Sequence, residues 1–227
     1  MNAIILAAGK GTRLQPLTNH TPKSLLEIQG KPVLAHTIEN LPDEVTSVII
    51  VVRHLGYLIK EYFGTKWGGK KITYVNAMTL RGTADMIRQV KRFVKGKTLV
   101  LHGDDLYKKS DLVRLIAEVQ ENEWGILAKE WDDVKQFGVL ALSKDGKLLE
   151  IIEKPENPPS HLVNTGAYIL DERIFAYRPA KLASGEYGLP QTMTQAKNEV
   201  PTRVVLASFW QPVNTMSDYK EAQNAPM

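Results

Sequence analysis

The sequence of 227 residues contains no cysteine. This absence excludes disulfides, thiolate zinc sites, iron–sulfur clusters and a cysteine nucleophile. Long apolar runs are also missing, because runs such as residues 48–52 are far shorter than the ~20 residues of a membrane-spanning helix. No basic segment precedes an apolar one near residue 1, so we expect no secretory signal peptide. We therefore expect a soluble, cytoplasmic protein with no membrane partner.

The excess of positive charge is small and does not identify a ligand by itself. The net charge of +4 and the pI near 9.1 fit either nucleic acid or a site for polyanionic small molecules. Basic residues gather near the end of one predicted helix, where a solvated helix terminus explains them better than nucleic acid does. These residues are Lys91, Arg92, Lys95 and Lys97. We therefore expect no nucleic-acid partner.

Apolar patterning predicts alternating strands and helices in the first half of the chain. The predicted strands cover residues 2–7, 45–52, 71–75 and 98–101. The predicted helices cover residues 32–41, 57–63, 83–94 and 111–121, the last with Ser110 as its N-cap. This alternation predicts a mainly parallel sheet with helices on both faces, which is an α/β fold.

The second half of the chain has a different pattern. Its predicted strands cover residues 125–129, 138–142, 148–153 and 163–170, with few helices between them. This spacing predicts antiparallel or mixed strands that continue the same sheet. Because no linker, low-complexity tract or internal repeat interrupts the pattern, we predict a single domain over residues 1–227.

A loop of small and basic residues follows the first predicted strand. It reads Leu-Ala-Ala-Gly-Lys-Gly-Thr-Arg-Leu at residues 6–14. Gly9 and Gly11 let the backbone approach a ligand and adopt positive φ, and successive N–H groups in such a turn bind anions. Arg13 adds a forked donor suited to phosphate oxygens, and Lys23 adds a second positive charge beyond the turn at Pro22. The loop therefore predicts a phosphate cradle rather than a tight turn alone.

Two common phosphate loops are excluded by single residues. Leu14 stands where the dinucleotide fingerprint needs its third glycine. Lys91 stands where a P-loop ending in Gly96-Lys97-Thr98 needs its first glycine. A different class of phosphate site is therefore indicated.

The motifs in this region resemble those of the sugar-phosphate nucleotidylyltransferases. The loop at residues 6–14 is followed by Pro-Lys-Ser-Leu-Leu at 22–26 and Gly-Lys-Pro at 30–32, and the resemblance runs nearly end to end. It implies a Rossmann-like three-layer α/β/α fold with a mainly parallel mixed sheet, the nucleotide-diphospho-sugar transferase fold. It also implies Mg²⁺-dependent attack of a sugar 1-phosphate on the α-phosphate of a nucleoside triphosphate, with release of pyrophosphate. Residues 1–110 would form the nucleotide-binding part and residues 111–227 the sugar-binding part.

The resemblance assigns the nucleotide contacts and two catalytic cations. Arg13 would hold the departing pyrophosphate, and Lys23 would stabilise charge at the α-phosphate. Family members usually carry a base-reading glutamine before the Gly-Thr-Ala motif at residues 82–84, and Asn76 is the candidate replacement here. The implied nucleotide-binding residues are Leu6, Ala7, Ala8, Gly9, Gly11, Thr12, Asn76, Gly82 and Thr83. An alternative interpretation makes Thr83 simply the N-cap of its helix.

The resemblance also assigns a magnesium site. Asp104 follows a predicted strand at the expected carboxyl edge of the sheet, where open α/β sheets bind ligands. Asn214 is the implied second ligand, and Asp105 is the alternative to Asp104. Magnesium prefers one or two carboxylates together with phosphate oxygens and water, which fits this set. The alternative role for Asn214 or Thr215 is a cap for a helix at residues 216–222.

Three motifs in the second half resemble the sugar site of the family. Gly138 would place its backbone against the sugar ring, Glu153 would bind hydroxyl groups, and Lys154 would pair with the sugar phosphate. Asn164, in Asn-Thr-Gly at residues 164–166, would bind a hydroxyl or acetamido group. An exposed ion pair is the alternative interpretation of Glu153 and Lys154.

Several functional alternatives remain open at the level of sequence. The same chemistry could act on phosphocholine or another non-sugar phosphate, as a cytidylyltransferase, although a choline site needs an aromatic cage. The domain could instead sense nucleotide or sugar without turnover, and a glycosyltransferase is disfavoured because Asp104-Asp105 lacks the Asp-x-Asp spacer. The Leu-Ala-Ala-Gly opening favours UTP. The substrates alone are the predicted partners, a homo-oligomer is left open, and the scattered histidines receive no role.

Overall fold

The structure, a computed structural model, describes residues 1–144 and 146–226. Its α-helices are α1 Val33–Glu39, α2 Gly56–Phe63, α3 Thr83–Gln89, α4 Lys109–Glu118, α5 Leu189–Gln195 and α6 Met216–Ala222. The strands of the main sheet and the short strands beside it are β1 Asn2–Leu6, β2 Glu27–Ile28, β3 Lys31–Pro32, β4 Ser47–Val52, β5 Lys66–Trp67, β6 Lys70–Asn76, β7 Thr98–His102, β8 Asp105–Tyr107, β9 Trp124–Glu130, β10 Gly138–Leu142, β11 Leu148–Glu153, β12 Leu162–Leu170, β13 Ala180–Lys181, β14 Tyr187–Gly188, β15 Thr202–Leu206 and β16 Trp210–Pro212.

One mixed sheet carries both halves of the chain. Strands β6, β4, β1 and β7 lie side by side in parallel, with β5 antiparallel at the edge next to β6. Beyond β7, strand β12 runs antiparallel and pairs further with β9 and β10, and β11 continues the sheet from β10. The carboxyl ends of β1 and β7 meet at the centre, where Leu6 lies opposite His102. The predicted change from parallel to antiparallel pairing is confirmed.

Alternating residues of β1 supply two separate hydrophobic cores. Ala3 and Ile5 pack into a core that also contains residues of α1, α2 and α4. Ile4 and Leu6 pack into a second core with residues of α3 and α5. Because side chains of a strand alternate between the faces of a sheet, the helices lie on both faces. The predicted three-layer α/β/α architecture is confirmed.

The helix boundaries of α3 and α4 differ most from the sequence prediction. Helix α4 begins at Lys109 with Lys108 as its N-cap, so Ser110 lies inside the first turn and the prediction for it is wrong. The helix begins two residues earlier than the apolar spacing predicts. Asp111, in its first turn, accepts hydrogen bonds from the backbone N–H groups of Ser208 and Phe209. Helix α3 ends at Gln89, and a short 3₁₀ turn covers the rest of the predicted helix.

The helices of this protein are short compared with the thickness of a bilayer. None of those in residues 1–144 and 146–226 is long and apolar enough to cross a membrane.

Candidate active site

The ammonium group of Lys23 lies between Asp104 and Asn214. It donates a hydrogen bond to Asp104 Oδ2 and another to Asn214 Oδ1 at 2.7 Å. These three residues come from distant parts of the chain, since 81 residues separate Lys23 from Asp104 and 191 separate it from Asn214. The structure therefore brings together one predicted catalytic cation and both predicted metal ligands.

Local structure fixes Lys23 and Asp104. A 3₁₀ turn, Lys23–Leu25, begins after Pro22 and leaves Lys23 only 7% exposed. Asp104 lies in the turn between β7 and β8. A Cβ on the preceding Gly103 would lie 2.8 Å from Ile5 Cγ2, so only glycine lets this turn pack against β1.

A capping box fixes Asn214. Thr215 is the N-cap of α6 and exchanges hydrogen bonds with Asp218. The Asp218 carboxylate also accepts from the backbone N–H of Asn214 at 2.8 Å. Strand β16 leads into this turn and pairs antiparallel with β8, so Pro212 lies opposite Asp105. The predicted cap at Thr215 is thus present, and Asn214 next to it remains free to point its amide at Lys23.

The phosphate-cradle loop at residues 6–14 opens beside Lys23. Gly11 has a φ of 65°, and a Cβ there would lie 3.0 Å from Lys23 Cβ. The prediction of a positive φ at Gly9 is wrong. Of the two glycines in this loop, only Gly11 has a positive φ. No atom lies within 4 Å of a Cβ built on Gly9, so this position faces open space. Arg13 is exposed and forms no ion pair with any residue the structure describes, so its guanidinium is available for an anion.

Two other titratable side chains, His102 and Asp105, lie next to Asp104. His102, Asp104 and Asp105 offer ligand atoms within 4.8 Å of one another. The Asp105 side chain is buried, accepts from Trp210 Nε1 at 3.3 Å, and leaves Oδ1 without a partner among the described residues. Burial and the neighbouring charge of Asp104 raise the pKa of Asp105 to about 8. Burial also acts to raise the pKa of Asp104, but the charge of Lys23, with His102, holds it below its usual value.

The raised pKa of Asp105 predicts a pH-dependent stability. Between about pH 4 and pH 8, Asp105 holds a proton in the folded protein but has lost it in the unfolded chain. The free energy of unfolding therefore falls as the pH rises through this interval. We expect Asp105→Asn to gain thermal stability relative to the parent protein over that interval. Melting curves at pH 5 and pH 8.5 with a chelator present measure the effect. A constant difference between the two proteins at both pH values would contradict it.

A cavity of about 550 Å³ extends from the phosphate-cradle loop to residues of the second half of the chain. Predicted residues on its wall are Gly9, Gly82, Thr83, Glu153 and Asn164. The wall also includes residues that the sequence analysis did not predict, which are Lys10, Leu80, Met86, His102, Tyr168, Leu182, Glu186, Tyr187, Gly188, Pro190 and Gln191. Residues 182–191 thus form one wall of the cavity. The Gly-Leu-Pro at 188–190 is a helix-start signal that could have indicated α5, since proline lies in its first turn.

The N-terminus of α3 is joined to residues 187–189. A Cβ on Gly82, which has a φ of 104°, would lie 2.4 Å from the carbonyl oxygen of Tyr187. The hydroxyl of Thr83 accepts the backbone N–H of Leu189 at 2.9 Å. Gly82 is therefore the N-cap, and the interpretation of Thr83 as an N-cap is wrong because its hydroxyl binds a distant backbone donor instead.

Asn76 and Lys154 are two of the predicted site residues that do not line this cavity. Asn76 is exposed at the end of β6 and accepts a hydrogen bond from Lys60 at 3.1 Å. Lys154 is exposed and takes a left-handed φ of 47°, with its backbone N–H bound to the carbonyl of Phe137. Their predicted roles in base and phosphate recognition remain predictions.

The other residues predicted for the sugar site, Gly138, Glu153 and Asn164, lie close together. A Cβ on Gly138 would lie 3.1 Å from Glu153 Oε2, so the absence of a side chain there makes room for this carboxylate. Burial raises the pKa of Glu153, against the opposing charge of Lys154. Asn164 is held by its neighbours, because Oδ1 accepts from Gly166 N at 3.0 Å and Nδ2 donates to the Tyr168 hydroxyl at 2.8 Å.

Comparison with known proteins gives one family for almost the whole chain. The nucleotidyl transferase family model matches residues 2–226. The bifunctional protein GlmU of Methanocaldococcus jannaschii is 33% identical over 98% of this chain and 53% of its own length, so the chain spans about half of that relative. The UTP–glucose-1-phosphate uridylyltransferase AglF of Haloferax volcanii is 34% identical over 77% of this chain and 74% of its own length.

The fold has a close structural counterpart. A Bacillus anthracis protein assigned as a glucose-1-phosphate thymidylyltransferase, crystallised with sucrose, superposes with a TM-score of 0.87 at 27% identity. The superposition covers 99% of this chain and 94% of that protein. Together with the match over residues 2–226, it confirms the family resemblance seen in the sequence motifs. The chain belongs to the nucleotidyl transferase family, among the sugar-phosphate nucleotidylyltransferases.

Proposed function

We propose that this protein transfers a nucleotidyl group, preferably from UTP, to a sugar 1-phosphate and releases pyrophosphate in a Mg²⁺-dependent reaction. The observation that carries the proposal is the Lys23 ammonium held between Asp104 and Asn214 beside the phosphate-cradle loop. The relative AglF, named for UTP and glucose 1-phosphate, supports the choice of nucleotide and of a sugar phosphate.

The chemistry needs positioning and charge neutralisation rather than a nucleophilic side chain. A phosphate oxygen of the sugar 1-phosphate forms a bond to the α-phosphorus while the bond from that phosphorus to the bridging oxygen breaks. The electron pair leaves with pyrophosphate, and no general base is required because the attacking phosphate is already ionised. Lys23 would neutralise charge at the α-phosphate, and Arg13 would hold the leaving pyrophosphate.

The residues around Lys23 fit a magnesium ion. Asp104 and Asn214 offer a carboxylate and an amide oxygen, and both already bind one cation, the ammonium of Lys23. Asp105 adds a buried oxygen without a partner among the described residues. Hard oxygen donors of this kind suit Mg²⁺. Asp104 and Asn214 would hold the ion, which supplies further neutralisation of phosphate charge when bound.

Pyrophosphate release tests the proposal directly. The five common nucleoside triphosphates are combined in turn with glucose 1-phosphate and N-acetylglucosamine 1-phosphate, with magnesium and with a chelator. We expect the fastest release with UTP and none with the chelator. Faster release of pyrophosphate with another nucleoside triphosphate would overturn the preference for UTP. Nucleotide binding by calorimetry without release from any pair would instead favour a sensing module.

A further inference from the structure

We infer that Asp85 is a positioning residue, which holds residues 78–82, here called the 78–82 segment, in the shape that binds the nucleotide. The inference rests on the proposed function and adds to it a residue that acts without touching the substrate. Asp85 lies in the first turn of α3, is only 8% exposed and does not line the cavity. Gly82, Thr83 and Met86, on either side of it in the chain, do line the cavity.

The carboxylate of Asp85 binds three side chains. Its Oδ2 accepts hydrogen bonds from Thr79 Oγ1 at 2.5 Å and from Gln89 Nε2 at 3.2 Å. Its Oδ1 accepts one from a guanidinium nitrogen of Arg81 at 3.1 Å. Burial acts to raise the pKa of Asp85, but the hydrogen bonds from Thr79 and Arg81 hold it below its usual value. The surrounding groups therefore stabilise the charged carboxylate.

Gln89 fixes the backbone of the same segment. Its Oε1 accepts the N–H of Met78 at 2.6 Å, and its Nε2 donates to the carbonyl oxygen of Thr79 at 3.1 Å. Asp85 and Gln89 are four residues apart on α3, so one face of this helix binds both the side chains and the backbone of the segment. Hydrogen bonds in such a network strengthen one another, so the loss of its charged centre affects every member.

Arg81 connects the segment to the cavity wall at residues 182–191. Its carbonyl oxygen accepts the N–H of Tyr187 at 2.6 Å, and its guanidinium carbon lies 5.9 Å from the centre of the Tyr187 ring. Tyr187 lines the cavity together with Leu80 and Gly82. A shift of the 78–82 segment would therefore displace lining residues of both parts of the chain.

The reacting groups are held by different contacts. Lys23 binds Asp104 beside the phosphate-cradle loop, whereas Asp85 binds the 78–82 segment and Gln89. Under the proposed function, Gly82 and Thr83 bind the nucleotide, and Lys23 acts at the α-phosphate. Loss of the charge of Asp85 should therefore weaken nucleotide binding while the chemical step keeps its rate.

Asp85→Asn tests the inference. The amide keeps the shape of the side chain, but it removes the charge and turns an N–H₂ group toward donors of the network. We expect the KM for UTP, or for the triphosphate that the parent protein uses faster, to rise about tenfold with kcat unchanged, since hydrogen bonds to a charged group contribute on that scale. Calorimetric titration with the same triphosphate should show an equal loss of affinity.

Asp171→Asn is the matched control. The Asp171 side chain is also mostly buried and paired with an arginine, Arg173, but it does not line the cavity. Its replacement should lower the melting temperature and leave the KM for nucleotide unchanged. Thr79→Val is a milder second variant, because it removes one donor to Asp85 and keeps the carboxylate. It should raise the same KM by a smaller factor, and it decides the test if Asp85→Asn does not fold.

Three outcomes separate the inference from the proposed function. An unchanged KM in Asp85→Asn and Thr79→Val, or a loss confined to kcat or to the melting temperature, would overturn the inference alone. A parent protein that binds the triphosphate without turnover would refute the proposed function, and the calorimetric comparison would then decide the inference. A parent protein that neither binds nor turns over any triphosphate would refute both.

Discussion

Replacing Lys23 by methionine is expected to lower kcat about 100- to 1,000-fold while the protein stays folded. The methionine keeps an apolar stem of similar length but removes the ammonium that binds Asp104 and Asn214. Losing one preorganised group that stabilises transition-state charge costs about this factor in other enzymes. The Asp104 side chain retains 27% exposure, so water can solvate the carboxylate that loses its partner. Steady-state kinetics and a thermal melt measure the two effects separately.

Lys109→Met is the control for this variant. Lys109 also forms an ion pair, with Asp43 at 2.6 Å, but both side chains are exposed and lie outside the cavity lining. Exposed pairs contribute little, so kcat and stability should both stay close to those of the parent protein. A Lys23→Met protein whose melting temperature collapsed, and whose remaining folded fraction was fully active, would show that Lys23 is structural.

Replacing Gly82 by alanine is expected to destabilise the protein by roughly 3 kcal/mol and to weaken substrate binding. The new Cβ would lie 2.4 Å from the carbonyl oxygen and 2.5 Å from the nitrogen of Tyr187, both backbone atoms that cannot rotate away. The backbone at position 82 also has a φ of 104°, which side-chain-bearing residues rarely adopt. Because residues 182–191 form a cavity wall, their displacement should, under the proposed function, raise the KM of the sugar phosphate.

Gly64→Ala is the control that separates backbone strain from the steric collision with Tyr187. Gly64 has a φ of 58° at the end of α2, and a Cβ there meets no atom within 4 Å. Because a φ of 58° with a ψ of −145° is a conformation that essentially only glycine adopts, its replacement should cost about 1–2 kcal/mol through strain alone, with unchanged KM values. Denaturant unfolding of the two variants gives the comparison. Equal losses of stability would contradict the close approach of Gly82 to Tyr187 as the main cause.

The central part of the site was predictable because its motifs stand at the ends of strands. The loop at residues 6–14 follows β1 and Asp104 follows β7, and parallel neighbouring strands carry such residues to one edge of the sheet. The segment before α6 supplied Asn214 through its resemblance to the family, and Lys23 joins it to Asp104. Hydrophobic patterning likewise predicted the two-faced sheet, since the inner residues of the central strands β1, β4 and β7 are all apolar.

The rest of the site depends on contacts that have no local pattern. Thr83 has the usual sequence of an N-cap, yet a backbone N–H located 106 residues later takes its hydroxyl. His102 was given no role because it has no metal-ligand spacing relative to the other histidines, although it lies only two residues before Asp104 and its nitrogens come close to both Asp104 and Asp105. The cavity wall at residues 182–191 carries a local signal for the start of α5, but its place in the site comes from packing against α3. Tertiary contacts of this kind override local propensity.

The hydrogen bond between Lys23 and Asn214 also has a consequence for synthesis on the ribosome. A nascent chain that has emerged only to about residue 200 contains the phosphate-cradle loop, Lys23 and Asp104, but neither β16 nor Asn214. Strand β16 must then pair with β8 before the second oxygen reaches the ammonium. Under the proposed function, a chain synthesised only to about residue 200 therefore lacks one of the two side-chain oxygens proposed to hold the cation.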